Sequence, residues 1–142
     1  MTTYRDLGPL PYFGEDSSET LVAIGWLGRD QPFSKGSTPP AVFLRLKQLL
    51  LQPFQPIVSA GVHECELCQF EAERRGSANL FVPADRRLFV CPELITHYMN
   101  AHQYQPPREF CDAVLMCPDT HTMEYKRLLL ASGGRRLVQD AG

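Results

Sequence analysis

Two cysteines with two residues between them, Cys65 and Cys68, are the side chains best placed to do chemistry. A turn of this length can direct both sulfur atoms at one cation, at about 2.3 Å each when the cation is zinc. The same spacing occurs in redox pairs, which usually lie between a strand and a helix. Here Glu66 lies between the cysteines and a charged segment follows them, and negative neighbours disfavour a reactive thiolate. The pattern therefore favours metal binding over redox chemistry.

Two histidines further along the chain, His97 and His102, can complete a set of four metal ligands. Four residues separate them, which is within the spacing found in zinc sites. Residues five apart on a regular helix point about 140° away from each other, so both imidazoles reach one ion only if the last helical turn loosens. Pro106 and Pro107 follow closely and favour such a helix ending.

The types of these four side chains indicate which metal they would bind. Thiolates and neutral imidazoles suit zinc, whereas magnesium and calcium prefer oxygen ligands. Four protein ligands fill the coordination shell and leave no position for a substrate water, which is typical of a structural site. We predict one structural Zn²⁺ per chain, bound by Cys65, Cys68, His97 and His102.

His63 lies two residues before Cys65, and the sequence leaves its role open. It can replace one histidine as a ligand, lie behind a ligand and orient it, or act as a general base. The last alternative makes the protein a metal-dependent, nuclease-like hydrolase with an opened metal site. The common motifs H-E-x-x-H and G-x-S-x-G and a glycine-rich phosphate loop are absent from the sequence. Catalysis is therefore only an alternative prediction.

The remaining cysteines give weaker signals. Five cysteines are an odd number, so reduced thiols or a metal site are expected rather than a complete disulfide framework. Cys91 and Cys111 are expected to be small buried apolar residues. His121 near Cys117 could form a second metal site, but its spacing gives this little support.

A further alternative is a nucleic-acid-binding zinc finger that uses the arginines of segment 63–104. Affinity for phosphates requires clustered basic side chains, whereas six acidic residues outnumber four arginines in this segment. The whole chain has a formal charge of -2 and gives no general reason to bind nucleic acid or an anionic membrane. Nucleic-acid binding is therefore not expected; its candidate residues are Arg74, Arg75, Arg86 and Arg87.

The elements that must position the ligands follow from the apolar pattern and from 12 prolines that divide the chain. Apolar and β-branched runs predict strands over 20–27 and 57–62 and a hairpin of residues 79–82 and 87–90. Helical spacing and prolines in first turns predict helices over 39–52, 92–102, 107–116 and 120–131.

The first of these helices has two features that can be checked. Thr38 precedes two prolines and is the expected N-cap. Leu44 and Leu51 fall outside the main apolar stripe of the helix. The helix is therefore expected to be buried on more than one side.

These elements predict a small mixed α+β fold, with one domain over residues 1–142. An N-terminal strand and helix over 20–56 precede a zinc module over 57–105, and C-terminal helices over 106–132 follow. In the zinc module the metal would hold a β-hairpin and a helix together, as in a treble clef or an enlarged ββα finger. The first twenty residues carry acids and prolines where a signal peptide would need a continuous apolar stretch, and no apolar stretch reaches membrane-spanning length. We expect a cytoplasmic protein without membrane contact.

Two motifs in this chain resemble an uncharacterised family of small bacterial proteins. One is the H-x-C-x-x-C that begins at His63, and the other is the H-Y-x-x-x-H-x-Y-x-P-P run that begins at His97. The likeness covers roughly residues 20–118. It implies a bacterial source and a zinc site, but no particular activity. Cys91 departs from the family pattern, which implies a small residue such as alanine there.

The main functional prediction is a zinc-stabilised binding or adaptor protein that acts through contacts with an unknown protein partner, without catalysis. Trp and Tyr are enriched at binding hot spots, so exposed aromatic residues are candidate partner contacts. The candidates are Trp26, Phe33, Tyr104 and Phe110. Residues of these types lie in protein cores more often than at contact sites, so the core is the more common outcome for each of the four.

Overall fold

The computed structural model describes residues 4–8, 21–29, 31–54, 63–68, 75–76, 78–84 and 86–134, with the backbone alone described at 63–64, 75–76 and 133–134. The strand predicted over 57–62 lies outside these ranges. The elements in chain order are β1 (Leu21–Ala23), α1 (Pro40–Leu51), β2 (His63–Glu64), β3 (Arg75–Gly76), β4 (Asn79–Ala84), β5 (Arg87–Pro92), α2 (Ile95–Ala101), α3 (Arg108–Met116) and α4 (Met123–Leu129). A π-helical turn, Leu130–Gly134, follows α4.

A three-stranded sheet with the order β1–β5–β4 forms the centre of the described fold. β4 and β5 are the predicted hairpin, which pairs antiparallel and is longer than predicted. β1 pairs parallel to β5, with Leu21 opposite Leu88. It covers only part of the strand predicted over 20–27, because Gly25 adopts a left-handed φ of 74° and interrupts the extended backbone.

β5 lies in the middle of this sheet and is buried from Leu88 onward. Its run of consecutive apolar residues is typical of a strand covered on both faces. Phe89 packs edge to face against Phe110 of α3, with ring centroids 5.7 Å apart. The indole nitrogen of Trp26 donates a hydrogen bond of 2.9 Å to the carbonyl oxygen of Val90. These contacts fix the strand from which α2 continues.

α1 begins and is buried differently from the sequence prediction. Its N-cap is Pro39, with no side-chain capping bond, rather than Thr38. Its buried face consists of Val42, Leu46 and Leu49. Leu44 and Leu51 are 58% and 80% exposed, so the expectation of burial on more than one side is wrong. A single apolar stripe is enough for a helix that packs on one side of a small core.

α2 begins three residues later than predicted. Pro92 is the last residue of β5 rather than the first of the helix, because it pairs with Asn79 of β4. The backbone N–H of Glu93 still donates to the carbonyl oxygen of Ala78, at 2.9 Å. The chain must leave this pairing before it can turn into a helix. Proline fits a strand end as well as a first helical turn, so its presence did not separate the two.

The two C-terminal helices lie close to the predicted ranges. α3 begins at Arg108, one residue later than predicted, with Pro107 as its N-cap, and it ends at Met116 as predicted. α4 is shorter than the predicted helix over 120–131, because Thr122 caps it by accepting a hydrogen bond from the N–H of Tyr125 at 3.2 Å. The hydroxyl of Tyr125 donates to the carbonyl oxygen of Phe81, which attaches α4 to β4.

Three of the four aromatic residues proposed as exposed partner contacts are core residues. Trp26, Tyr104 and Phe110 are 4%, 1% and 0% exposed. Phe33 is half-buried and packs against the ring of Tyr104, with centroids 6.1 Å apart. The three buried rings pack behind or beside the sheet and are not available to a partner. For these three residues the core alternative holds, and they are not surface contacts.

The described residues form a mixed α+β fold, as the sequence predicts. The two-strand pairing of β2 with β3 precedes the hairpin and then α2, which is the chain order expected for a treble clef. The likeness to that fold stays a prediction. Among the described helices none is long and apolar enough to cross a membrane.

Candidate metal centre

Backbone pairing before and after the cysteine turn positions the two sulfur atoms. β2 and β3 pair antiparallel, with His63 opposite Gly76, and Cys65 follows β2 directly. Arg29 binds the turn from outside: its N–H donates to Oε1 of Glu66 at 3.2 Å, and its Nε donates to the backbone oxygen of Glu66 at 3.3 Å. The turn is therefore attached to the segment that follows β1.

The two histidines lie at opposite ends of α2. His97 is in the first turn, whereas His102 is the C-cap, with φ -121° and ψ 9°. Its backbone N–H donates to the carbonyl oxygen of Tyr98 at 3.0 Å. Gln103 then adopts a left-handed φ of 58°, which turns the chain away from the helix axis. The helix ends where the ligand spacing requires it to loosen.

The structure brings the four predicted ligands together. Their ligand atoms all lie within 4.8 Å of one another. Cys68 Sγ is 3.2 Å from His97 Nε2 and 3.5 Å from His102 Nε2, and Cys65 Sγ is 3.4 Å from His102 Nε2. A tetrahedral zinc with bonds of about 2.3 Å to sulfur and 2.0–2.1 Å to nitrogen places such ligands about 3.5 Å apart. The three sulfur–nitrogen distances are therefore close to those around a tetrahedral ion.

The environment of the cluster is partly buried. All four ligand residues are half-buried, and Cys65 packs against the core. The ring of His97 meets that of His102 edge to face, with centroids 5.1 Å apart. Tyr98 lies behind both rings and is fully buried. Burial, and secondarily the nearby thiols and Glu66, raise the pKa of the Tyr98 hydroxyl, so it stays neutral beside the cluster.

A cavity of about 380 Å³ adjoins one of the ligands. His102 and Leu67 form part of its wall, and Phe33 and Lys35 form another part. The ammonium group of Lys35 lies 5.4 Å from the centre of the Phe33 ring. A small molecule could reach the edge of the metal centre from this side.

The structure gives different information on the two other histidines singled out in the sequence. His63 lies in β2, and its side chain is outside the described part of the structure. His121 is exposed, and within the described ranges only the four-ligand cluster gathers three or more metal-binding side chains.

The three remaining cysteines differ in burial. Cys91 is fully buried, as predicted, and Cys117 is 3% exposed, whereas Cys111 is only half-buried. Burial is the main cause of a raised pKa for all three thiols, and the pKa of Cys117 rises to about 11 although the nearby Arg45 cation opposes the shift. These thiols are therefore protonated and poorly reactive at neutral pH.

The arginines proposed for nucleic-acid binding are only partly described. Arg87 pairs with Glu109, and its guanidinium lies 4.8 Å from the centre of the Phe89 ring. Arg86 is exposed in the hairpin turn, with a φ of 67°. Arg75 is described only as part of β3, and Arg74 lies outside the described residues. The pairing of Arg87 with a carboxylate reduces the charge that this surface offers to a phosphate.

Sequence reasoning did not find Asp6, which is connected to the segment after α2. Its Oδ2 accepts a hydrogen bond of 2.7 Å from the hydroxyl of Tyr104, and its Oδ1 accepts one of 2.9 Å from the N–H of Gly25. Burial raises the pKa of Asp6, and the two hydrogen bonds oppose this rise. A lone aspartate 98 positions before its partner carries no spacing signal in the sequence.

The described residues define a class: a mixed α+β protein with a candidate Cys₂His₂ metal centre. Residues 2–115 match the family described as Domain of unknown function (DUF7919), and the chain belongs to this family. The resemblance to an uncharacterised family is thereby confirmed. No curated protein and no solved structure matches the chain.

Proposed function

We propose that this protein is a zinc-binding module whose metal has a structural role. The observation that carries the proposal is the meeting of two thiols and two imidazoles within 4.8 Å, with sulfur–nitrogen distances of 3.2–3.5 Å. Two thiolates and two neutral imidazoles balance the charge of one Zn²⁺ and fill its four positions. The residues present therefore fit zinc in donor type, number and spacing.

The zinc would attach the cysteine turn to a rigid part of the fold. α2 is anchored in the core by Ile95 and Tyr98, both fully buried. The turn itself is held by the two hydrogen bonds from Arg29 to Glu66 and by the partly buried Leu67. A bound ion would add four strong bonds to these contacts. It would therefore contribute most of the free energy that holds the turn in place.

Metal content and cobalt substitution test this proposal. Untagged protein is expected to contain one zinc per chain by elemental analysis. Replacement by Co²⁺ should give the absorption bands of a tetrahedral ion together with a thiolate charge-transfer band. The Cys68→Ser variant keeps the Cys65 thiolate, so its charge-transfer band should be weaker and it should bind metal less tightly. Protein that contains no zinc and binds no Co²⁺ after reduction of its thiols would refute the proposal.

The biological role that we propose is binding to another protein, and the exposed apolar residues support it. Four large apolar side chains on α1 and α3 are at least half exposed: Leu44, Leu51, Leu115 and Met116. Contiguous exposed apolar patches are typical of protein interaction sites, and α1 packs against α3, so side chains on these two helices can contribute to one such patch. They replace the buried aromatic rings as candidate contacts for a partner.

A comparison of captured proteins tests this role. Leu51→Asp and Met116→Asp should remove a protein that the wild type retains from the source cell extract. Gln31→Asp changes an exposed polar residue in the same way and should leave capture unchanged. Equal capture by all three variants and the wild type would exclude this surface as the contact site.

A metal-dependent hydrolase is a second candidate, and the cavity beside His102 supports it. A substrate in this cavity, which is also lined by Lys35, would lie next to His102, whose release would open a position on the metal. His63 would then act as general base. This candidate predicts hydrolysis of a generic phosphodiester or ester that His63→Ala abolishes while zinc content stays at one per chain. Activity that survives His63→Ala would exclude this role of His63.

A further inference from the structure

The chain reverses direction after α2, at residues 102–104. Backbone hydrogen bonds hold it on both sides of this reversal. The backbone N–H groups of His102 and Tyr104 both donate to the carbonyl oxygen of Tyr98, at 3.0 and 3.1 Å. Between them Gln103 has a left-handed φ, which is unfavourable for a residue with a side chain. Something outside this short segment must stabilise the reversal.

Backbone pairing with the loop before α1 provides part of that stabilisation. Gly36 N–H donates to the carbonyl oxygen of Gln103 at 3.0 Å, and Gln105 N–H donates to the carbonyl oxygen of Ser34 at 2.9 Å. Lys35 and Tyr104 thereby form an isolated antiparallel bridge. Tyr104 itself is buried, with 1% of its surface exposed.

The hydroxyl of Tyr104 ends at Asp6, which is itself fixed. The other oxygen of Asp6 accepts from the N–H of Gly25, and the segment around Asp6 pairs with β1: Leu7 N–H donates to the carbonyl oxygen of Ala23 at 2.8 Å, and Ala23 N–H donates to that of Gly8 at 2.9 Å. A side chain at residue 25 would lie 3.1 Å from Ile95, the first residue of α2. Asp6 therefore connects the N-terminal segment, residues 4–8, to the end of α2 through Tyr104 and to the start of α2 through Gly25.

We propose that Asp6 and Tyr104 are positioning residues for the metal ligand His102. Their hydrogen bond holds the reversal in the one geometry that directs His102 Nε2 toward the two sulfur atoms, 3.4 and 3.5 Å away. This proposal rests on the proposed zinc site. It has a consequence for regulation: anything that displaces residues 4–8 from β1 weakens metal binding without touching a ligand. The N-terminal segment is thereby a control element for the metal centre.

Tyr104→Phe is the main test, because it removes the hydroxyl and keeps the buried ring. Zinc affinity is measured on the full-length protein by competition with a chromophoric chelator. Mutation of a group that orients a metal ligand typically lowers affinity 10–100-fold. That range applies to groups bonded to the ligand itself, and Tyr104 acts on His102 through the backbone, so we expect a loss at its lower end, about tenfold, for Tyr104→Phe. The cobalt spectrum should still be that of a two-thiolate tetrahedral site.

Tyr125→Phe is the matched control. Tyr125 is also 1% exposed, and its hydroxyl also donates a buried hydrogen bond, to Phe81. Both variants should lower thermal stability, but only Tyr104→Phe should lower zinc affinity. Equal zinc affinities of the two variants would overturn the proposal.

Two substitutions at Asp6 provide a second, independent arm. Asp6→Ala removes both acceptors and should weaken zinc binding as much as Tyr104→Phe. Asp6→Asn should restore most of the affinity, because its amide can accept from Gly25 and donate to the Tyr104 oxygen. Unchanged affinity in Asp6→Ala would contradict the proposal. Failure of the wild type itself to bind zinc would instead refute the proposed function, so the two failures are distinguishable.

Discussion

The sulfur atom of Cys68 lies 3.2 Å from Nε2 of His97, although the two residues are 29 positions apart in the chain. One belongs to a turn after β2, and the other belongs to the first turn of α2. α2 is anchored in the core by its own buried residues. The cysteine turn has fewer contacts, so its position depends more on a metal bound between Cys68 and His97. Loss of the metal should therefore loosen the cysteine turn more than α2.

Chelation should loosen the cysteine turn before it loosens the sheet. Segments of low contact density open at lower free energy than the core. Hydrogen exchange followed by mass spectrometry should show lost protection at residues 63–68 and at the end of α2 after zinc removal. β5, which is paired on both edges, should stay protected. Simultaneous loss of protection in β5 would mean that zinc stabilises the whole fold.

Asp6→Asn should change the pH dependence of stability. Burial raises the pKa of Asp6 above its usual 3.8, so the fold disfavours the ionised carboxyl. The contribution of Asp6 to stability is therefore complete below pH 3.8 and is lost as the pH rises through the raised pKa. The asparagine variant does not ionise and should be as stable as wild type near pH 4 and more stable at pH 7.

Urea unfolding of both proteins at several pH values, each in the metal-free form with chelator present, measures this difference without a contribution from metal loss. A free-energy difference that does not change with pH would show that the ionisation of Asp6 is not coupled to folding.

Phe110 and Leu51 should differ sharply when each is replaced by alanine. Phe110 is fully buried against Phe89, and removal of a buried phenylalanine typically costs about 3–5 kcal/mol. Leu51 is 80% exposed, and its loss should change the free energy of unfolding by less than about 0.5 kcal/mol. Denaturant unfolding measures both values. A small effect of Phe110→Ala on the free energy of unfolding would contradict the burial of this ring.

Gly25→Ala should destabilise the fold more than Gly36→Ala. Gly25 has a φ of 74°, and a Cβ there would lie 3.1 Å from the buried side chain of Ile95. We expect a cost of at least about 1 kcal/mol from backbone strain and crowding. The atoms nearest to a Cβ on Gly36 belong to the side-chain amide of Gln105, with Oε1 at 2.6 Å, and this amide is exposed and can move. Thermal unfolding of both variants compares the two positions, and a larger loss for Gly36→Ala would contradict this account.

The ligand set could be predicted from the sequence because its information is local. Two residues between thiols and four between imidazoles each constrain a single turn, and the residue types name the metal chemistry. The hairpin of β4 and β5 was predictable for a similar reason, since two apolar runs flank a short polar turn. Pro92 was misassigned because proline is accepted at a strand end and at a helix start.

The errors concern burial and long-range contacts. An aromatic side chain such as Trp26 or Tyr104 gives no sign in the sequence of which neighbours will cover it. The burial of Tyr104 depends on Phe33 and Asp6, which reach it from two other parts of the chain. Leu44 shows the reverse error, because apolar residues beside a stripe suggested a second buried face. Tertiary packing determines whether these side chains are buried. The local sequence pattern carries no information about it.

The parallel pairing of β1 with β5 affects how this chain can fold during its synthesis. Leu21 pairs with Leu88, so a ribosome that adds about 5–20 residues per second releases the first strand roughly 3–13 s before its partner. Until then the apolar residues of β1 lack the neighbour that covers them. A nascent chain stopped before β5 would expose this segment and bind chaperones that recognise apolar strands. The last strand of the sheet to be synthesised is thus the one that completes it.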